Sequence, residues 1–121
     1  MSNARIGFVG VGLMGHGIAK NLIAKGYPVT LRLHRNRAVA DDLFKAGAKE
    51  AASYAALAQG SDIVILCVTG APQVEEVMLG DEGIASAARK GLIVIDTSTS
   101  EPATTTRMRE LLAEKGVRFV D

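Results

Sequence analysis

The sequence predicts an α/β fold, a doubly wound parallel sheet with strand order 3-2-1-4-5-6. Three observations lead there. Short apolar, β-branched runs alternate along the chain with segments whose apolar residues fall at helical spacing, the pattern of repeated βα units. The clearest runs, 62–68 and 92–96, are apolar on both faces, as strands are when helices cover both sides of a parallel sheet. Composition agrees: 48% of the 121 residues are hydrophobic, yet with three Phe, two Tyr and no Trp the core has to be aliphatic.

The first strand is expected over 5–9, Arg-Ile-Gly-Phe-Val, and the phrase Gly10-Val11-Gly12-Leu13-Met14-Gly15 follows it directly. Behind the glycines, Ile18, Ala19, Leu22 and Ile23 fall on one helical stripe, and Gly26 stops the helix. A second strand follows over 29–33, then a helix over 37–46 closed by Gly47, and a weak third strand over 49–52. Ser53 can cap a short helix over 54–58. After the fourth strand, Pro72 suits the first turn of a helix running through Val74, Val77 and Met78. The fifth strand leads to a helix capped by Thr99 or Ser100, carrying Met108, Leu111 and Leu112 and ended by Gly116; 117–120 begins a sixth strand. With no internal linker, repeat or low-complexity stretch, residues 1–121 read as one domain.

Bulk properties exclude several classes. A net charge of +1 gives no global reason to expect nucleic acid or a membrane surface, and no apolar run approaches the roughly 18 residues that span a bilayer. One cysteine rules out an internal disulfide, and the N-terminus lacks the basic and apolar regions of a secretory signal, so the cytoplasm is the default compartment. No His/Cys cluster has metal-ligand spacing and no Gly-Lys-Ser/Thr phosphate loop is present, so no metal is expected. The distribution of charge says more than its sum. Residues 1–40 hold six Lys/Arg and no Asp or Glu, while the rest of the chain holds eight basic and thirteen acidic side chains. A cationic first third suits an anionic ligand.

Strand, glycine turn and helix together form the context that a dinucleotide-binding fingerprint requires. Gly10 permits the tight turn, Gly12 lets backbone approach a pyrophosphate, and Gly15 lets the helix pack closely on the sheet. The phosphates would sit on the free N–H groups and the positive end of the helix dipole. About 20 residues further on, NAD-binding domains carry an acid for the adenosine ribose. Here that position falls on Leu33, His34 and Arg35, within the run Arg32-Leu33-His34-Arg35-Asn36-Arg37, where no carboxylate stands. Guanidinium groups there suit a 2′-phosphate, so NADP is preferred, with NAD still possible; the bland alternative is a solvated basic turn. The missing acid also argues against FAD and S-adenosylmethionine folds.

With these residues located, the chain resembles the NAD(P)-binding Rossmann domain of the β-hydroxyacid dehydrogenase family, which includes 3-hydroxyisobutyrate dehydrogenases and tartronate semialdehyde (2-hydroxy-3-oxopropionate) reductases, with imine reductases as relatives. The resemblance covers 5–121. It is carried by Gly7-Phe8-Val9 and the glycine phrase, Ile18-Ala19-Lys20-Asn21-Leu22, Gly47-Ala48, Val74-Glu75-Glu76-Val77 with Gly80 and Gly83, Asp96-Thr97-Ser98-Thr99-Ser100-Glu101-Pro102, and Phe119-Val120-Asp121. The Met14-Gly15 pairing and the Asp-x-Ser-Thr-x-x-Pro element are its most specific parts. It implies that Leu13 and Met14 offer backbone N–H groups to the pyrophosphate, and that Val68 and Thr69 border the nicotinamide ribose with Gln73 close by. It also implies that Thr99 touches the nicotinamide half and Ser98 faces a substrate carboxylate. Thr69 stands where a proline is common, the stretch from Gly26 to Gly47 is one residue longer than usual, and Arg32 interrupts a strand that should be largely buried. The family's catalytic lysine and its helical substrate and dimerisation domain lie beyond the segment that Asp121 begins, so no catalytic residue is expected in this chain.

Several residues admit plainer readings. Cys67 reads as a small buried hydrophobe, His16 as a solvent-exposed residue at a helix start, Lys20 and Lys25 as solvated, and the Thr104-Thr105-Thr106 run as helix surface. Asp96 is expected to brace the Ser98 loop, and Ser98 has no nearby base that would make it a nucleophile. Two functions of different class remain: hydride transfer between NADPH and a small 3-hydroxy or 3-oxo carboxylate, possible for the 121 residues only with the helical domain (imine reduction being a variant), or a stand-alone NADP-binding or interaction module without catalysis. Either takes a small-molecule ligand and neither nucleic acid nor membrane. Homo-oligomers would come with the helical domain.

Overall fold

Six short strands run parallel in the order β3-β2-β1-β4-β5-β6, the order expected from the alternation of elements. The computed structural model describes residues 4–11, 13–33, 37–68, 70–97 and 102–120. Along the chain these are β1 (Ile6–Val9), α1 (Leu13–Ala24), β2 (Val29–Arg32), a 3-10 turn (Arg37–Ala40), α2 (Asp41–Lys45), β3 (Lys49–Glu50) and α3 (Tyr54–Gln59). The second half consists of β4 (Ile63–Leu66), α4 (Ala71–Leu79), α5 (Ile84–Ala87), β5 (Ile93–Asp96), α6 (Pro102–Ala113) and β6 (Arg118–Val120). Ile6 of β1 pairs with Val29 on one side and Ile63 on the other, so β1 and β4 lie side by side where the order of connections reverses.

Alternate strand residues point to opposite faces, and each face builds its own core. Val9, Val64, Leu66, Val94 and Phe119 pack with Leu57 of α3, Val77 and Met78 of α4, Ile84 of α5, and Met108 and Leu112 of α6. Ile6, Phe8, Leu31 and Ile65 pack on the other face with Ala19 of α1 and Leu43 of α2. The core is aliphatic apart from Phe8 and Phe119, as the composition requires.

Local signals in the sequence have the expected physical form. Ser53 Oγ accepts the Ala56 N–H at 3.0 Å and caps α3, and Pro72 sits in the first turn of α4. Other expectations need correction. The helix expected over 37–46 is split into a 3-10 turn and a five-residue α2. The third strand is two residues long, pairing only with β2, and its neighbour Ala51 merely donates to Leu31 O at 2.9 Å. Helix α5 was not anticipated: its four residues carry one fully buried side chain, Ile84, too little for a periodic signal. Leu111 is exposed on α6, whereas Thr105, taken as helix surface, is buried; the inward stripe of this helix runs through Thr105, Met108 and Leu112 at i, i+3, i+7.

Candidate functional site

At the carboxyl end of β1 the chain turns at Gly10, whose φ of +70° is left-handed and whose position leaves no room for a side chain: a Cβ there would stand 2.6 Å from Cys67 O. Gly10 N–H donates to Arg32 O, and Cys67 N–H donates to Val9 O at 2.8 Å, so the turn is tied to the ends of both neighbouring strands. Helix α1 then starts at Leu13. A Cβ on Gly15 would lie 2.7 Å from Cys67 Sγ, so the glycine brings α1 down onto the residue following β4. Gly10 and Gly15 therefore have the steric tasks expected of them.

The N–H groups of Leu13 and Met14, opening α1, belong to the first turn of a helix, where no intrahelical acceptor exists. No acidic residue stands in that turn, and the positive end of the helix dipole lies at the carboxyl ends of the strands. By contrast α2 carries Asp41 and Asp42 in its first turn. His16 reaches that second helix: its Nε2 is 2.8 Å from Asp42 Oδ1, and this contact holds the Asp42 carboxyl below the usual carboxylate range. His16 is thus a tie between α1 and α2 rather than a solvated residue at a helix start. Lys20 and Lys25 are exposed, as expected.

Beside the turn, at the point where the strand order reverses, lies an apolar cavity of about 140 Å³. Its floor is Val9, Gly10, Cys67 and Val68 at the ends of β1 and β4; Tyr54 of α3 forms one wall and Gln73, Glu76 and Val77 of α4 another. Ligands of open α/β sheets bind in such crevices. The cavity holds a ring rather than a whole dinucleotide, while the α1 terminus beside it suits phosphate. Together they fit a molecule with both. Cys67 is half-buried here rather than fully buried, and burial pushes its thiol up, away from thiolate chemistry. Thr97 donates to Leu66 O at 2.6 Å with its hydroxyl 3.4 Å from Cys67 Sγ, joining the ends of β4 and β5. Asp96 is buried at the end of β5.

Of the residues singled out in the sequence, Gly10, Val11, Leu13, Met14, Gly15, Val68 and Gln73 come together at this one end of the sheet, Val11 buried, Gln73 exposed. Gly12, His34, Arg35, Thr69, Ser98 and Thr99 lie outside the described residues. Sequence reasoning passed over Tyr54, Glu76 and Val77 as cavity walls. The last two were within reach, since Gln73, Glu76 and Val77 share a helix face at i, i+3, i+4. Tyr54 is brought there only by the crossover from β3. Among the described residues, no group of three His, Cys, Asp or Glu could hold a metal, and no helix is long and apolar enough to cross a membrane.

A parallel doubly wound sheet with a glycine turn, a helix N-terminus with no acid in its first turn and a crevice at the reversal point defines a dinucleotide-binding domain of Rossmann type. The comparisons narrow this. The family model described as the NAD binding domain of 6-phosphogluconate dehydrogenase matches residues 5–121, and the chain belongs to that family. It is 34% identical over 117 residues to the 2-hydroxy-3-oxopropionate reductase of Escherichia coli, covering 97% of this chain and 39% of the reductase. It is 31% identical over 120 residues to the cytokine-like nuclear factor N-PAC of Homo sapiens, covering 99% of this chain and 22% of N-PAC. Among solved structures, Psf3 in complex with NADP+ and 2-OPP superposes with a TM-score of 0.86 at 32% identity, over 94% of this chain and 40% of Psf3. The chain therefore spans well under half the length of these relatives.

Proposed function

We propose that this chain holds NADP(H) for hydride transfer to or from a small 3-hydroxy or 3-oxo carboxylate, of the 2-hydroxy-3-oxopropionate or 3-hydroxyisobutyrate kind. The observation that carries the reading is the Gly10–Gly15 turn, seated on the ends of β1 and β4 beneath a helix N-terminus with no acid in its first turn. On this reading the N–H groups of Leu13 and Met14 take the pyrophosphate, with Gly12 leaving room for it. His34 and Arg35 take the 2′-phosphate. Val68 and Thr69 border the nicotinamide ribose with Gln73 close by, Thr99 touches the nicotinamide half and Ser98 faces the substrate carboxylate. The cofactor supplies the hydride; these residues bind and orient it. The proton donor of the family chemistry is a lysine that the resemblance does not place within residues 5–121, so on this reading these residues bind cofactor and turnover depends on that lysine. The absence of an acid at 33–35 and the NADP+ complex of a 32% identical neighbour support NADP over NAD. A cytoplasmic location goes with an enzyme of this kind.

N-PAC, named a nuclear factor, favours a second reading, a binding module without catalysis. One experiment separates the readings. Fluorescence titration with NADPH should saturate for the parent chain and show no binding for Gly12→Val, which puts a branched side chain where the pyrophosphate approaches. Mixed with 2-hydroxy-3-oxopropionate, the 121 residues should give no NADPH oxidation, and joining them to the helical domain of the E. coli reductase should restore it. No turnover from that fusion, with binding intact, would favour the module.

A further inference from the structure

We infer that Arg32 is a positioning residue for the adenosine half of the cofactor, acting through Tyr54; this rests on the dinucleotide reading above. Arg32 ends β2 and is in register with Val9 of β1. Strand alternation sends Leu31 into the core beneath α1 and α2 and Arg32 to the opposite face, the one that carries Val9, Tyr54 and the cavity.

On that face the guanidinium is already committed. Its Nη1 donates to Ala51 O at 3.3 Å, which ties the end of β2 to the chain leading into α3. Its central carbon lies 5.7 Å from the centroid of the Tyr54 ring, within the range of cation–π attraction. Its Nε is buried with no hydrogen-bond partner, and among the described residues no carboxylate forms an ion pair with it. A buried donor without an acceptor costs stability, and an arginine in an otherwise apolar strand invites replacement by an aliphatic residue. What the arrangement provides is a cation within reach of an aromatic ring that also lines the cavity.

The backbone of Tyr54 is fixed by the Ser53 cap at the start of α3, and its ring lines the cavity from the side nearest β2. In folds of this type the end of β2 serves the adenosine ribose. A flat ring wall beside it suits a planar base, by stacking. Arg32 sets that wall: the bond to Ala51 O fixes the guanidinium plane, and the plane fixes the ring. Contact with the 2′-phosphate is a different role, one for the guanidinium's remaining Nη donors, since one Nη1 hydrogen is bonded to the backbone and Nε is enclosed.

The two roles separate by ligand. Calorimetric titration of the chain with NADP+, NAD+ and adenosine 2′,5′-bisphosphate should show Arg32→Met losing about tenfold in affinity for all three, with the ratio of NADP+ to NAD+ affinity kept within about twofold. Arg32→Lys, which retains the charge but not the plane, should lose nearly as much. Tyr54→Leu should reproduce the loss, and in the double variant the two losses should fail to add. Circular dichroism checks each fold, and if Arg32→Met does not fold, the Tyr54→Leu arm decides. Selective loss of NADP+ would make Arg32 a phosphate ligand and overturn the inference. Unchanged bisphosphate affinity, full affinity in Arg32→Lys, unchanged affinity in Tyr54→Leu or additive losses would overturn it as well. If the parent chain binds while the Arg32 variants are unaltered, this inference alone fails; if the parent binds none of the three ligands, the dinucleotide reading fails and takes this inference with it.

Discussion

The two ends of the sheet are built on opposite principles. At the amino end the charges satisfy one another. Arg5 meets Asp62 through Nη2 at 3.1 Å, through Nε at 3.3 Å and through its backbone N–H at 2.8 Å, while Arg89 stands 3.6 Å from the same carboxylate and donates to Ser61 O at 2.7 Å. At the carboxyl end the helix α1 opens without an acid, Arg32 keeps a buried donor without a partner, and the space between is apolar. The same strands thus supply one end closed by ion pairs and hydrogen bonds and another where a helix N-terminus opens beside an apolar cavity.

The largest effect is expected at the open end. Gly10→Val would force a branched side chain into a left-handed conformation and against Cys67 O, at 2.6 Å from the new Cβ. Strain of that kind costs about 1–3 kcal/mol before the clash is counted, so thermal unfolding should show a large loss of stability together with loss of NADPH binding. Unaltered stability would mean that the turn has room the structure does not give it.

A smaller effect is expected at the closed end. Hydrogen bonds from the Arg5 side chain and backbone, together with the Arg5 and Arg89 charges, pull the Asp62 carboxyl down to about 2. Its folded value lies below the unfolded one, so the stability it adds is complete above pH 4 and is lost as pH falls toward 2. The pair is 44% exposed on both sides, so water screens most of the attraction. Asp62→Asn should therefore lower the melting temperature slightly at pH 7, converge with the parent near pH 2, and leave NADPH affinity alone. A change in affinity would show that the two ends are coupled.

The smallest effect belongs to Asp42→Asn. The His16 contact holds the Asp42 carboxyl low, so its contribution too is present at neutral pH and fades as pH falls below the usual carboxylate range. A marginal loss of melting temperature at pH 7 that disappears in acid is the expected result; a loss that persists at low pH would mean that Asp42 acts by packing.

What the sequence made legible follows the same division. Elements with a strong period or a fixed cap were readable: β4 and β5 from apolar runs, α3 from Ser53, α4 from Pro72, and the glycine turn from its place between strand and helix. The short elements were not, because β3 and α5 carry two and four residues and borrow their stability from neighbours rather than from a pattern. Of the residues expected at the site, Gly10, Val11, Leu13 to Gly15, Val68 and Gln73 lie at one end of the sheet, each within a consecutive stretch of the sequence. The Arg32–Tyr54 contact was not legible. Arg32 is conspicuous in the sequence as an interruption of a buried strand, yet the partner that explains it stands 22 positions later and reaches it only through the β3 crossover.

The central claim is that the open end is completed by a phosphorylated dinucleotide, and the most direct measurement is the thermal shift of the 121-residue chain with NADPH and NADH at matched concentrations. A ligand stabilises by the logarithm of one plus the ratio of its concentration to its dissociation constant, so the tighter NADPH should raise the melting temperature more than NADH, and Arg35→Asp should invert the order. Equal shifts in the parent chain, or no shift with either, would contradict it.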